Sequence, residues 1–312
     1  MNRDATEKTR NQFTCFCSLT FLVSDEGSLP EDYKNSDDYT GAGLEGELYS
    51  FSTGLFSLDY HKAVVGTTKD EIVVAIKGTD GFMDSMNDGY VNPVDFEGMG
   101  KVHMGFASAT ALLLKNGLEK KVDELIRSNP QQGLCFTGHS KGGAVAFLLA
   151  AHYSNKNYSN NIRVITFEAP RVGNSTFAYN YEELGMETLR YEDFLDVVPH
   201  LPFTSQEHQL LDRMGPVNNF LENFMDIITC DYVPVGRRIG FYVGHDEYNG
   251  RYPHNEGNTD GESLNSMCAV EFLMRNHFSI SLMNNEIHNK DYKESIVEYT
   301  DFDYLQYSSK MR

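Results

Sequence analysis

The segment from Leu134 to Tyr153 constrains the fold more than any other part of the chain. An apolar run, Leu134-Cys135-Phe136-Thr137, leads into Gly138-His139-Ser140-Lys141-Gly142-Gly143 and then into Ala144 to Tyr153, which is apolar almost all round. This reads as a buried strand, a sharp turn and a buried helix. The glycines tolerate the tight turn and allow close helix–sheet packing. A serine on such a turn is pushed out above the sheet edge, facing the positive end of the helix. Ser140 is therefore a candidate nucleophile, because a hydroxyl so placed needs only a base and aimed donors to react.

The flanking patterns agree with a layered architecture. Glu71 to Ile76 (EIVVAI) is a continuous apolar run, as expected of a strand covered on both faces, and with Ala63 to Thr67 and a turn at Thr68-Lys69-Asp70 it predicts a hairpin. A helix is predicted over Phe106 to Ser128, with Leu118, Val122, Leu125 and Ile126 on one face and Pro130 beyond its end. Further strands are predicted at Ile162 to Phe167 and Glu187 to Tyr191. Strands alternating with helices from 71 to 200 imply crossover connections, hence an α/β fold with a mostly parallel central sheet and helices on both faces. The 312 residues fit a single domain of this kind. Phe13 to Val23 is expected as an N-terminal core helix. Residues 81–100, rich in Gly, Asp and Met, are a candidate lid, and 203–262 a candidate insertion containing a strand candidate at Arg238 to Val243. The acidic, Tyr-rich tail 291–312 carries no pattern that places it.

Composition narrows the function classes. A formal net charge of −19 repels phosphate backbones and anionic surfaces, so no nucleic-acid partner is expected. No stretch approaches the ~20 apolar residues that span a bilayer. Phe13 to Val23 lacks the small-residue cleavage site of a signal peptide. The five cysteines, at 15, 17, 135, 230 and 268, form neither a disulfide framework nor a zinc set, and fit a reducing, cytoplasmic compartment. The oxygen-rich loop Asn255 to Glu262 does not match EF-hand spacing. No metal and no cofactor are expected.

A serine nucleophile attacking a carbonyl needs two donors for the oxyanion. One is the backbone N–H of Lys141, just after the serine; the other is expected from Thr79, in the turn after the strand EIVVAI. The acid and then the histidine follow the serine in this fold class. Asp196, ahead of Val197-Val198-Pro199, is the candidate acid, with Asp193 its competitor. The candidate bases are His200, His208, His245, His254, His277 and His288. His277 is preferred because the apolar run Ala269 to Met274 and Phe278-Ser279-Ile280 flank it, and His288 is second. His200 lies only four residues past the acid.

These residues resemble the class 3 lipase family. The matching motifs are Lys77-Gly78-Thr79, Val102-His103-Met104-Gly105-Phe106, the turn Gly138 to Gly143, Thr166 to Asn174, and Asp196 to Pro202, in family order across about 60–205. The resemblance implies an α/β-hydrolase fold, carboxylic ester hydrolysis and a lid before the Val-His segment. It implies a triad of Ser140, Asp196 and His277, with Thr79 and Lys141 at the oxyanion hole. The expected partner is an ester or lipid substrate, with transient contact to a lipid interface. Departures are Lys77 for the usual Arg, Lys141 for a frequent Leu, Glu168 where Gly is common and Phe203 where Pro is often found. Alternatives on the same scaffold are a phospholipase or acyltransferase, or a catalytically silent binding module.

Overall fold

The strand Glu71–Ile76 is the natural starting point, because from Ile72 onward it is buried on both faces. The computed structural model describes residues 3–53, 61–78, 93–156, 161–193, 196, 198–202, 232–243 and 296–300. Their strands are β1 (Tyr49–Ser52), β2 (Lys62–Thr67), β3 (Glu71–Ile76), β4 (Pro93–Asp95), β5 (Lys101–His103) and β6 (Gly133–His139). They continue as β7 (Ile162–Phe167), β8 (Gly173–Asn174), β9 (Glu187–Asp193), β10 (Tyr232–Val233), β11 (Arg237–Val243) and β12 (Ile296–Thr300). The helices are α1 (Arg3–Leu19), α2 (Asp37–Gly41), α3 (Met104–Leu113), α4 (Glu119–Ser128), α5 (Lys141–Asn155) and α6 (Ser175–Glu183).

Eight strands form one sheet in the order β1-β2-β3-β6-β7-β9-β11-β12. The middle five, β3 to β11, run parallel, while β1, β2 and β12 flank them in antiparallel pairing. A small antiparallel sheet, β10-β8-β5-β4, packs beside it. Side-chain alternation divides the interior in two. Ile72, Val74, Leu134, Phe136 and Val164 face a core shared with α3, α4, α5 and α6. Val73, Ala75, Cys135, Ile165 and Phe167 face the other way, against Phe13, Phe16 and Leu19 of α1. The expected N-terminal core helix is thus the cover of one face. Arg163 adds a tie across the sheet: its guanidinium meets both oxygens of Glu71 at 2.5 and 2.6 Å and lies 5.1 Å from the Phe13 ring centroid.

One sequence expectation is altered, and two others fall only partly on described residues. The single helix predicted over Phe106 to Ser128 is two helices, because Gly117 has φ 101° and Asn116 sits at φ −84°, ψ 22°. The Asn116 amide caps the Leu112 carbonyl at 2.7 Å, ending the first helix, and the chain restarts at Glu119. Of the candidate lid 81–100, residues 93–100 make β4 and a turn whose Phe96 and Met99 are buried; 81–92 lie outside the described residues. Within the candidate insertion 203–262, Arg237–Val243 is strand β11 of the main sheet, beside β9. Among the described residues no helix is long and apolar enough to cross a membrane.

Candidate active site

The parallel strands β3, β6, β7 and β9 share one carboxyl-terminal edge, and Ser140, Lys141 and Asp196 lie beyond strand ends there. At the end of β6, Ser140 takes φ 54° and ψ −129° before the chain enters α5. A residue with a Cβ in this region carries strain on the order of 1–3 kcal/mol, which the surroundings must impose. They do so through the backbone: the Ser140 N–H donates to the Phe167 carbonyl at 2.9 Å, and the Gly143 N–H donates to the Ser140 carbonyl at 2.9 Å. The Ser140 side chain does not cap the helix. It sits at the positive end of a fifteen-residue helix, with the Lys141 N–H next in line.

Two glycines are required by close approach. A methyl group at Gly142 would overlap the Ile76 carbonyl oxygen, so the first turn of α5 lies directly on the end of β3. A methyl group at Gly78 would come within 2.8 Å of the His139 carbonyl oxygen and 3.5 Å of the Ser140 Cβ. The turn after β3 therefore begins against the serine. Thr79, the next residue, lies outside the described residues.

Asp196 follows β9 at the same edge and is buried, 2% exposed. One of its carboxylate oxygens accepts from the Val198 N–H at 2.9 Å, and the Leu201 N–H donates to the Val198 carbonyl at 2.9 Å. Asp196 thus sits at the head of a closed turn. Its competitor Asp193 is the last residue of β9. Beneath, the buried Glu192 carboxylate lies between Arg190 and Arg238, whose Nε is 2.7 Å away. His200 belongs to the same short turn as Asp196. His208, His245, His254, His277 and His288 all lie outside the described residues, so the structure brings Ser140, Lys141 and Asp196 to one edge and leaves the base unplaced.

Neighbouring residues explain two features of the sequence. Glu168 has φ 50° and is 2% exposed, so its position calls for the glycine that the resembled family commonly has there. Its N–H donates to the Tyr191 carbonyl at 2.9 Å, which fastens the loop after β7 to β9. His103, in the Val-His segment, caps α3 by accepting from the Gly105 N–H at 3.1 Å. Burial, and second the Lys141 ammonium nearby, push its imidazole down to about 4. His103 and Arg171 both fall inside the matching motifs, yet the sequence alone assigns neither a role; a polar residue just ahead of a predicted helix is the available signal for the first.

Comparison with known proteins bears on this edge. The family model described as Lipase (class 3) matches residues 73–206. A lipase of Rhizopus niveus is 32% identical over 164 residues, which are 51% of this chain and 41% of that protein. The secreted mono- and diacylglycerol lipase A of Penicillium camembertii is 28% identical over 187 residues, 59% of this chain and 57% of that protein. The chain thus spans less than two thirds of the length of these curated relatives. Among solved structures, lipase II of Rhizopus niveus superposes with a TM-score of 0.59 at 21% identity, covering 78% of this chain and 82% of that one. The shared fold is that of the α/β-hydrolases.

Proposed function

We propose that the chain is a serine carboxylic ester hydrolase acting on lipid or other ester substrates through an acyl-enzyme, a reading supported by the match of residues 73–206 to the class 3 lipase family model. The observation that carries this reading is the conformation of Ser140, held at φ 54° at the amino-terminal end of α5. In the proposed mechanism Ser140 Oγ attacks the ester carbonyl while the His277 imidazole takes its proton. The tetrahedral oxyanion is held by the N–H groups of Thr79 and Lys141. His277 then returns the proton to the leaving alcohol, and the acyl group stays on Ser140 until water, activated by the same imidazole, releases it. Asp196 orients the imidazole and stabilises its charged form.

The test is covalent labelling by a fluorophosphonate probe, comparing wild type with Ser140→Ala, Asp196→Ala, His277→Ala and His288→Ala. Labelling is expected in wild type, absent in Ser140→Ala, strongly reduced in Asp196→Ala and His277→Ala, and retained in His288→Ala. A folded wild type that resists the probe with and without detergent would sink the reading. Labelling lost with His288→Ala instead would move the base and leave the nucleophile in place.

A further inference from the structure

The loop after β7 is fastened at its start to the proposed nucleophile and at its end to His103. At its start the Phe167 carbonyl accepts the Ser140 N–H, and the Glu168 N–H donates to Tyr191 on β9. At its end the His103 N–H donates to the Val172 carbonyl at 3.0 Å. Between them stands Arg171, 9% exposed. Its backbone N–H donates to the Leu201 carbonyl at 2.8 Å, and its guanidinium Nη1 donates to the Pro202 carbonyl at 3.1 Å. Leu201 and Pro202 close the turn that Asp196 opens.

We propose that Arg171 is a positioning residue for the acid: by holding the Leu201 and Pro202 carbonyls it sets the Asp196 turn against the loop that holds the Ser140 backbone. The proposal rests on the hydrolase reading. Asp196 follows the last parallel-paired residue of β9, so no sheet ladder fixes its height above the edge. Two hydrogen bonds from one residue, one of them charge-assisted and buried, supply that constraint instead. A guanidinium suits the task because its planar donors are pre-organised, whereas a lysine offers a flexible point charge. Catalysis is sensitive to such placement: a misplacement of about 1 Å can cost on the order of a hundredfold in rate.

The experiment is a double-mutant cycle of Arg171→Met and Asp196→Asn, read by kcat and KM on a short water-soluble ester and by the rate of fluorophosphonate labelling. Arg171→Met is expected to lower kcat by about tenfold to a hundredfold with KM within about twofold. It is also expected to move the acid limb of the kcat/KM profile to lower pH, since an imidazole that loses its oriented carboxylate binds its proton less tightly. In the Asp196→Asn background the same substitution should slow labelling by less than about twofold, because the group it positions is gone. Arg171→Lys should recover part of the loss. Equal losses in both backgrounds, or an unchanged kcat in Arg171→Met, overturn the proposal. Should Arg171→Met fail to fold, Arg171→Lys run through the same cycle decides by the same criterion. A wild type that neither hydrolyses nor labels defeats the hydrolase reading itself, and this inference with it; an active wild type with additive losses defeats Arg171 alone.

Discussion

His103 shows how one buried residue near the serine ties stability to pH. Because Nδ1 accepts from the Gly105 N–H, the neutral ring carries its proton on Nε2, a buried atom with no hydrogen-bond partner. Protonation would put a full charge at the amino-terminal end of α3 and beside the Lys141 ammonium, in a site 3% exposed to solvent. The folded value, about 4, lies below the ordinary 6.5, so the unfolded chain takes up the proton first as pH falls. The associated stability is fully present above pH 6.5 and is lost progressively down to about pH 4. At 1.36 kcal/mol per pH unit this corresponds to about 3 kcal/mol. Asn at position 103 keeps a side-chain acceptor for the cap and removes the titration. Denaturation midpoints of wild type and His103→Asn, followed from pH 7 to pH 4, should therefore converge or cross, with wild type losing more. Parallel loss in the two proteins would assign the acid sensitivity elsewhere.

At the scale of elements, the seating of α5 on β3 overrides a local helix preference. Alanine in a helix is favoured over glycine by about 1 kcal/mol, so propensity alone predicts that Gly142→Ala stabilises the protein. The Ile76 carbonyl leaves no room for the added methyl group, so either α5 or the end of β3 must move. The expected outcome is a lower thermal midpoint together with a loss of probe labelling larger than the loss of folded protein, since the shifted turn carries Ser140. A midpoint that rises, with labelling intact, would show that the helix accommodates the methyl group. The seating was legible beforehand because strand, turn and helix follow one another within twenty residues, and the glycines fall where they touch. The hairpin of β2 and β3 was legible for the same reason. The break at Asn116 and Gly117 was hidden by a hydrophobic face that continues on both sides of it. The pairing of β11 and β12 is harder to read, since their partners lie far away in sequence: Arg238 to Val243 reads as a strand candidate with no sign of its neighbour β9, and nothing in the tail marks β12 as its antiparallel partner. Within the candidate site, Ser140, Lys141 and Asp196 are legible as candidates from motifs. Arg171 could not be given a role, because its partners are two carbonyls about thirty residues away that no pattern exposes. Thr79 and His277 rest on the sequence alone.

The whole molecule carries 45 acidic against 26 basic side chains, a formal −19 that no single site accounts for. Such a charge opposes approach to any anionic surface, and the reach of that opposition is set by salt. The screening length is roughly 30 Å at 0.01 M and roughly 3 Å at 1 M. If the chain hydrolyses lipid esters at an interface, the charge of that interface becomes part of its specificity, independently of the acyl group bound at Ser140. Initial rates on a neutral ester emulsion and on the same emulsion doped with anionic lipid should differ by about tenfold or more at low salt, in favour of the neutral surface. At 1 M salt the two should agree within about twofold, since the repulsion then ends within a few ångströms of the protein. A short soluble ester serves as the control, and its rate should depend little on salt, because no charged surface takes part. The opposite preference, for the anionic emulsion at low salt, would mean that a local basic face overrides the total. Lys77, whose ammonium lies 4.7 Å over the exposed Phe21 ring two residues before Thr79, is the described residue at which to test that face, by Lys77→Gln. An anionic preference abolished by that change would locate interface recognition at the mouth of the proposed oxyanion loop, with the net charge acting only to keep the rest of the molecule away.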